Sequence, residues 1–257
     1  TGNSLVPIID GRELIRTALS TLENGLYYEF RGIPSTITLK EYLASRGASE
    51  EQVASLESLE KAVVLHSAVT GKERMVAVFR GAGVRASTGG GIVALTFDPF
   101  DGDRAENDSP IRNLLNFRGR GSELILELAN GFHEWTLWNQ AGNLVRVAPQ
   151  ALVTDHRVPE PFTANLQPGI SCIRCHRDED GWRGLTNQVP LILAAGTDVF
   201  GDLSSPDERL KQVQLLAGLY SGDWFEVGVG PLSVARLTYD RAVLQATGRP
   251  VKELSEL

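Results

Sequence analysis

The chain has 257 residues, of which 42% are hydrophobic and 22% are charged, and its formal net charge at pH 7 is −7. This composition is typical of a globular protein and argues against a disordered, collagen-like or coiled-coil chain. The acidic balance gives no sign of a nucleic-acid-binding surface, which would need clustered excess base. No apolar run approaches the roughly 18 residues that a transmembrane helix requires, so we expect no membrane span.

Residues 1–59 are predicted to be mostly helical. Asp10 is a candidate N-cap for a first helix, and Thr38 is a candidate N-cap for a second helix over Leu39–Ala44. Ser49 begins a capping-box pattern that indicates a third helix. We therefore expect the chain to begin with a helical segment.

Residues 60–150 change to the alternating pattern of β-strands. Asn130-Gly131 is the strongest hairpin signal in the chain, because this dipeptide accepts the positive φ angles of a tight turn. We predict an antiparallel meander of five or six strands. Its runs of β-branched, aromatic and aliphatic residues are Ala62–His66, Arg74–Phe79, Ile92–Phe97, Glu123–Leu128, Phe132–Trp138 and Leu144–Val147.

Residues 151–257 begin with a proline-rich loop and are otherwise predicted to be mostly helical, with the best helical windows at Pro206–Tyr220 and Leu232–Thr247. The predicted fold class is therefore α+β. Its parts are N-terminal helices, a central antiparallel meander and a C-terminal, mostly helical segment. The sheet and the C-terminal segment are expected to form one compact unit over residues 59–250.

The two cysteines of the chain, Cys172 and Cys175, are followed at once by His176. This Cys-x-x-Cys-His pattern is that of covalent c-type haem attachment. Two thiols three residues apart on one helical turn can each bond a haem vinyl group, and the next residue offers its imidazole as proximal axial ligand. The pattern predicts one covalent haem c held by these three residues.

Three other interpretations of the cysteine pair are weaker. A thioredoxin-like redox pair would follow a strand, whereas the residues before Cys172 have the composition of a loop. A zinc site would need further ligands, and the chain has no second Cys-x-x-Cys and no His-x-x-x-His. A disulfide across two residues would close a very short loop and stabilise little.

Covalent haem attachment also predicts where the protein resides. Haem c is attached outside the cytoplasm, in an oxidising compartment where further cysteines could mispair. The chain has no other cysteine and starts at Thr1 rather than at a methionine. We therefore expect a periplasmic or secreted protein whose signal peptide has been removed.

Two longer stretches accompany the motif: Ser122–Phe132, with its leucines before Asn-Gly, and Gly169–His176, with Ser-Cys-x-x-Cys-His. Together with weaker flanks they resemble a mono-haem c-type module of secreted bacterial proteins, planctomycetes among them. The similarity covers roughly Val63–Gly248. The resemblance implies a covalent haem, export and an activity that is poorly defined for the family.

The second axial ligand must come from upstream of His176 if it is His or Met, because neither residue occurs after it. His133 and His156 are the preferred candidates, although the resembling module has no histidine at either position. His66 and Met75 lie in strand-like runs and are interpreted as ordinary sheet residues. A five-coordinate iron, a lysine or a water ligand is the alternative.

Three residues near the motif are predicted to support the haem. Arg174 and Arg177 offer planar guanidinium groups that can hold the propionates in bidentate fashion. Trp182 is a candidate to pack on the porphyrin.

The leading functional prediction is one-electron transfer between redox partner proteins. One alternative is a haem enzyme, or a sensor of gas or peroxide, with an open distal site. The other is an accessory haem subunit of a larger redox complex. The sequence favours an electron-transfer protein over an enzyme but leaves the question open, and no nucleophile motif such as Gly-x-Ser-x-Gly is present.

Overall fold

The fold is known from a computed structural model, and several of the sequence predictions concern residues outside the part that it describes. The helix at Asp10, most of Pro206–Tyr220 and the candidate ligand His156 are among them. The described residues are 26–54, 61–67, 73–80, 92–98, 110, 117, 119, 121–148, 168, 170–178, 181–182, 184–191, 205, 207, 211, 220 and 231–250.

A six-stranded antiparallel sheet forms the centre of the fold. Its strands follow one another in space in their chain order, so each strand pairs with its neighbours in sequence. This confirms the predicted meander and the α+β class. The strands are β1 Lys61–Val64, β2 Arg74–Arg80, β3 Ile92–Phe97, β4 Gly121–Glu127, β5 His133–Asn139 and β6 Leu144–Val145.

The predicted Asn-Gly turn joins β4 to β5. Gly131 has a φ of +84°, and its N–H donates to the Leu128 carbonyl at 2.9 Å. The Asn130 side chain accepts a further hydrogen bond from within the turn. The turn fixes the register of the hairpin, in which Glu127 lies opposite His133. This register determines which side chains of β4 and β5 share a face of the sheet.

Helices cover both faces of the sheet. On one side lie α1 Leu26–Phe30, α2 Leu39–Ser45 and α3 Glu50–Ala54. On the other lie α4 Ile170–Cys175 and α5 Pro231–Thr247, with a small hairpin of β7 Arg177–Asp178 and β8 Gly181–Trp182. Among the described residues, no helix combines the length and apolar character needed to cross a bilayer.

The predicted N-cap of α2 is confirmed as a full capping box. The Thr38 hydroxyl accepts from the Glu41 N–H at 3.3 Å, and the Glu41 carboxylate accepts from the Thr38 N–H at 2.8 Å. Both groups thereby satisfy backbone donors that the first turn of a helix leaves open.

We call the side covered by α1–α3 the N-terminal face and the side covered by α4 and α5 the motif face. Because side chains alternate along a strand, β4 contributes to both faces and is buried on both, as its leucine pattern predicts. On the N-terminal face the buried apolar residues are Tyr27, Tyr28, Ile33, Tyr42, Leu43, Val93, Leu95, Leu124, Leu126 and Trp138. The central cluster of the motif face consists of Ile125, Trp135, Leu137, Ala148, Cys172, Tyr239 and Val243.

Candidate functional site

The Cys-x-x-Cys-His motif lies on one helical turn, as its spacing predicts. Cys172 and Cys175 belong to α4, and the His176 N–H donates to the Cys172 carbonyl at 2.8 Å. Both thiols are free of disulfide bonds. Cys172 is fully buried against the sheet, whereas Cys175 and His176 are half-buried. The motif therefore presents one thiol to the core and the other nearer the surface.

Glu123 of β4 is a buried carboxylate directly beneath the motif. Its Oε1 accepts from the Cys172 Sγ at 3.5 Å and lies 3.7 Å from the His176 Nε2. Burial alone would raise the pKa of this carboxyl, but the contacts with His176, Arg74 and Cys172 outweigh it and lower the pKa to about 2. Glu123 is therefore ionised at neutral pH in the interior of the protein.

Arg74 of β2 compensates this charge and is itself enclosed. Its guanidinium holds Asp98 through two hydrogen bonds, of 2.5 and 2.9 Å, and lies 3.4 Å from the Glu123 Oε2. The Thr96 hydroxyl accepts from Arg74 at 2.8 Å and from the Glu123 N–H at 2.9 Å. We call Arg74, Thr96, Asp98 and Glu123 the motif-face network.

His133 begins β5 and points into the motif face. It is 4% exposed and stacks on the Tyr239 ring of α5, with ring centroids 4.6 Å apart. Burial, with a smaller contribution from nearby His176, lowers the pKa of His133 to about 3. The imidazole is therefore neutral at pH 7, which is the form that ligates a metal.

The other predicted ligands differ in their placement. His66 follows β1 and is exposed. Met75 is buried in β2, but it alternates with Arg74 and therefore lies on the face of the strand opposite to the motif-face network. For Arg174, Arg177 and Trp182 the structure describes the backbone, in α4, β7 and β8, but not the side chains.

Aromatic and aliphatic side chains surround Cys172 on the motif face. Tyr239 and Trp135 pack with Cys172 and also contact His133, so Cys172 and His133 border the same aromatic cluster. Within the described part of the chain, the buried Trp135 Nε1–H has no hydrogen-bond partner. A buried N–H of this kind can donate a hydrogen bond to a carboxylate of a ligand without displacing an existing bond.

Comparison of the chain with protein-family models, with curated proteins and with solved structures finds no match in any of the three. Among the described residues, no group of three or more His, Cys, Asp or Glu side chains is arranged to hold a metal ion by itself.

The motif-face network is the part of the site that the sequence patterns do not predict. Glu123 falls within a predicted strand, but no sequence pattern indicates a role for its carboxylate. One feature of the sequence does single out Glu123. It is a charged residue in a strand whose pattern predicts burial on both faces, and a buried charge needs a partner. Its partners Arg74 and Asp98 lie on other strands, and pairing across strands depends on register rather than on local spacing.

Proposed function

We propose that this chain is a c-type cytochrome that carries one covalent haem and transfers single electrons, in the periplasm or as a secreted protein. The observation that supports it most strongly is the turn of α4, which carries both thiols on one side of the sheet and is followed directly by the imidazole of His176. Export is supported by the cysteine usage, because both cysteines of the chain are taken up by the motif.

Cys172 and Cys175 would hold the haem by thioethers, and His176 would be its proximal ligand. Bound haem would supply an iron that accepts and returns one electron. The apolar residues around Cys172 exclude water from the motif face. Arg174, Arg177 and Trp182 remain predicted haem contacts, since they follow or lie within α4 in the chain.

His133 is the second axial ligand that the contacts favour. It is buried on the same face as Cys172 and reaches the same two aromatic rings. His66 is exposed and Met75 lies on the other side of its strand. His156 stays a candidate outside the described residues. Two protein ligands would close the iron to exogenous molecules and favour electron transfer to a protein partner over enzymatic or sensing chemistry.

Covalent attachment is tested by producing the whole chain in a host that attaches haem c. The wild-type protein is expected to retain haem on a denaturing gel and to give the absorption spectrum of haem with two thioethers. The Cys172→Ala, Cys175→Ala double variant should retain no haem on the denaturing gel. Absence of covalent haem from the wild-type protein under conditions that load a reference cytochrome would overturn the proposal.

The role of His133 is tested by adding carbon monoxide to the reduced protein. The wild-type protein and the control His66→Ala should show no binding, whereas His133→Ala should bind carbon monoxide at full occupancy. If the wild-type protein binds carbon monoxide at full occupancy, the iron has an open coordination position. The function as a haem enzyme or gas sensor would then be favoured over electron transfer.

A further inference from the structure

The outer side of α5 carries exposed aliphatic side chains. Within the part of the chain that the structure describes, three of the five large hydrophobic side chains that are exposed belong to this helix, and they are Val234, Leu237 and Leu244. Each of the three is between 38% and 53% exposed. With the exposed Arg241 between the two leucines, they follow the alternating spacing of three and four residues that places side chains on one side of a helix. We call these four residues the outer stripe.

The opposite side of α5 packs on the core of the protein. Its buried residues are Leu232, Ala235, Tyr239, Ala242 and Val243. The outer stripe therefore faces away from the sheet and is not needed to hold α5 in place. A single exposed aliphatic residue is ordinary, but several in one row mark a surface that binds another molecule. The methylene groups of Arg241 extend this row, because a long charged side chain can cover apolar surface with its stem.

One edge of the outer stripe carries a charge of each sign. Arg236 and Asp240 lie one helical turn apart on this edge, and the Arg236 Nε is 3.9 Å from the Asp240 Oδ2. Their side chains are 38% and 27% exposed, so both can reach a molecule that covers the stripe. The other edge is formed by Thr238 and Gln245, which carry no charge. The two edges therefore differ in the partner that each can bind.

A second copy of the same helix complements the charged edge. When a twofold axis relates two antiparallel helices, the same edge of each helix meets the other, and every contact occurs twice. With the axis near Thr238, Asp240 of each copy lies opposite Arg236 of the other, and the two Leu237 side chains meet beside the axis. A parallel pair would instead bring the charged edge against Thr238 and Gln245. The charges therefore favour the antiparallel arrangement.

We propose that α5 binds α5 of a second copy of this chain, in an antiparallel homodimer that buries the outer stripe and forms two reciprocal ion pairs between Arg236 and Asp240. A helix of 17 residues is about 25 Å long. A contact of this length is near the lower end of the size range of specific interfaces, so the dimer forms reversibly and depends on concentration. The proposal does not depend on haem, because the outer stripe lies on the side of α5 opposite to Tyr239.

The first test measures the mass of the complete chain by sedimentation velocity. The wild-type protein should change from monomer to dimer as its concentration rises from about 10 µM to about 1 mM. Leu237→Glu should raise the dissociation constant at least tenfold, by about that factor or more, because it places a charge at the centre of the contact. Phe30→Glu is the matched control, since Phe30 is 68% exposed but lies on α1, and this variant should dimerise like the wild-type protein. A wild-type chain that is monomeric throughout would overturn the proposal.

The second test exchanges the charges. Arg236→Asp puts two acidic residues on the edge, and Asp240→Arg puts two arginines there, so each variant alone repels its own copy. Each should dimerise about tenfold more weakly than the wild-type protein. An equimolar mixture of the two should associate as tightly as the wild-type protein, because every charge then meets its opposite. A mixture that associates no more tightly than the single variants would exclude the antiparallel pair and overturn the proposal.

Discussion

On the N-terminal face one carboxylate, Glu134, lies between two arginines, whereas on the motif face one arginine, Arg74, lies between two carboxylates. The arginines around Glu134 are 35% and 23% exposed at their side chains, so water screens their excess charge. Arg74 is 7% exposed, and the excess charge around it stays within the protein. The first arrangement links helices to the sheet, and the second links β2, the end of β3 and β4 beneath the motif.

The largest expected effect comes from Arg74→Met. Two buried carboxylates would lose their cation, and removing one partner of a buried ion pair costs about 3–5 kcal/mol of the free energy of unfolding. Urea denaturation of the haem-free chain measures it. A loss below about 1 kcal/mol would show that water reaches this network, and the contrast between the two faces would disappear.

A smaller loss is expected for Glu134→Leu, about 2–3 kcal/mol by the same measurement. Arg31 and Arg46 can turn to water, so the main cost is the buried Tyr42 hydroxyl, which loses its acceptor. If Glu134→Leu were less stable than Arg74→Met, the ion pairs of the N-terminal face would contribute more to stability than those of the motif face, contrary to this prediction.

Gly131→Ala tests how tightly the β4–β5 turn is packed beneath α5. A Cβ at this position would lie 2.9 Å from both Cγ2 and the carbonyl oxygen of Thr238, and φ is +84°. We expect a loss of about 2 kcal/mol. Gly32→Ala is the matched control, since it has a φ of +62° but nothing within 4 Å. If thermal melts gave the same loss of stability for both variants, α5 would be shown to shift and make room for the added methyl group.

The smallest effect is expected for Thr38→Ala, which removes the N-cap of α2 and costs about 1 kcal/mol. Hydrogen bonds from Thr38 hold the pKa of Glu41 below its usual 4.5. Because the folded state binds this proton less readily than the unfolded state, the capping contribution is complete above pH 4.5 and is lost as the pH falls below it. Melting curves at pH 7 and pH 3 should therefore differ less for the variant than for the wild-type protein.

The sequence predicts those parts of the fold that depend on neighbouring residues. The strand runs, the Asn130-Gly131 turn and the Thr38 cap are local patterns, and the structure confirms each of them. The turn of α4 follows from the spacing of its cysteines in the same way. Local chemistry at these points agrees with the tertiary fold.

Local sequence patterns do not predict the contacts between side chains on different strands or between the sheet and the helices. His133 follows a turn, where exposure is common, yet Tyr239 of a distant helix buries it. Glu123 contacts Thr96 because of the strand register, and it contacts Cys172 because α4 packs on this face of the sheet. These pairings depend on which face each strand turns inward, and that is decided when all layers pack together.

The pairing of every strand with its neighbour in sequence has a consequence for the order of folding. The last strand of the sheet ends at Val145, before Cys172 in the chain, and such local pairing forms rapidly as the chain grows. The residues of all six strands are therefore synthesised before those of α5. Cys172 packs against Tyr239 and Val243 of α5, so its burial is complete only once that helix has docked on the sheet.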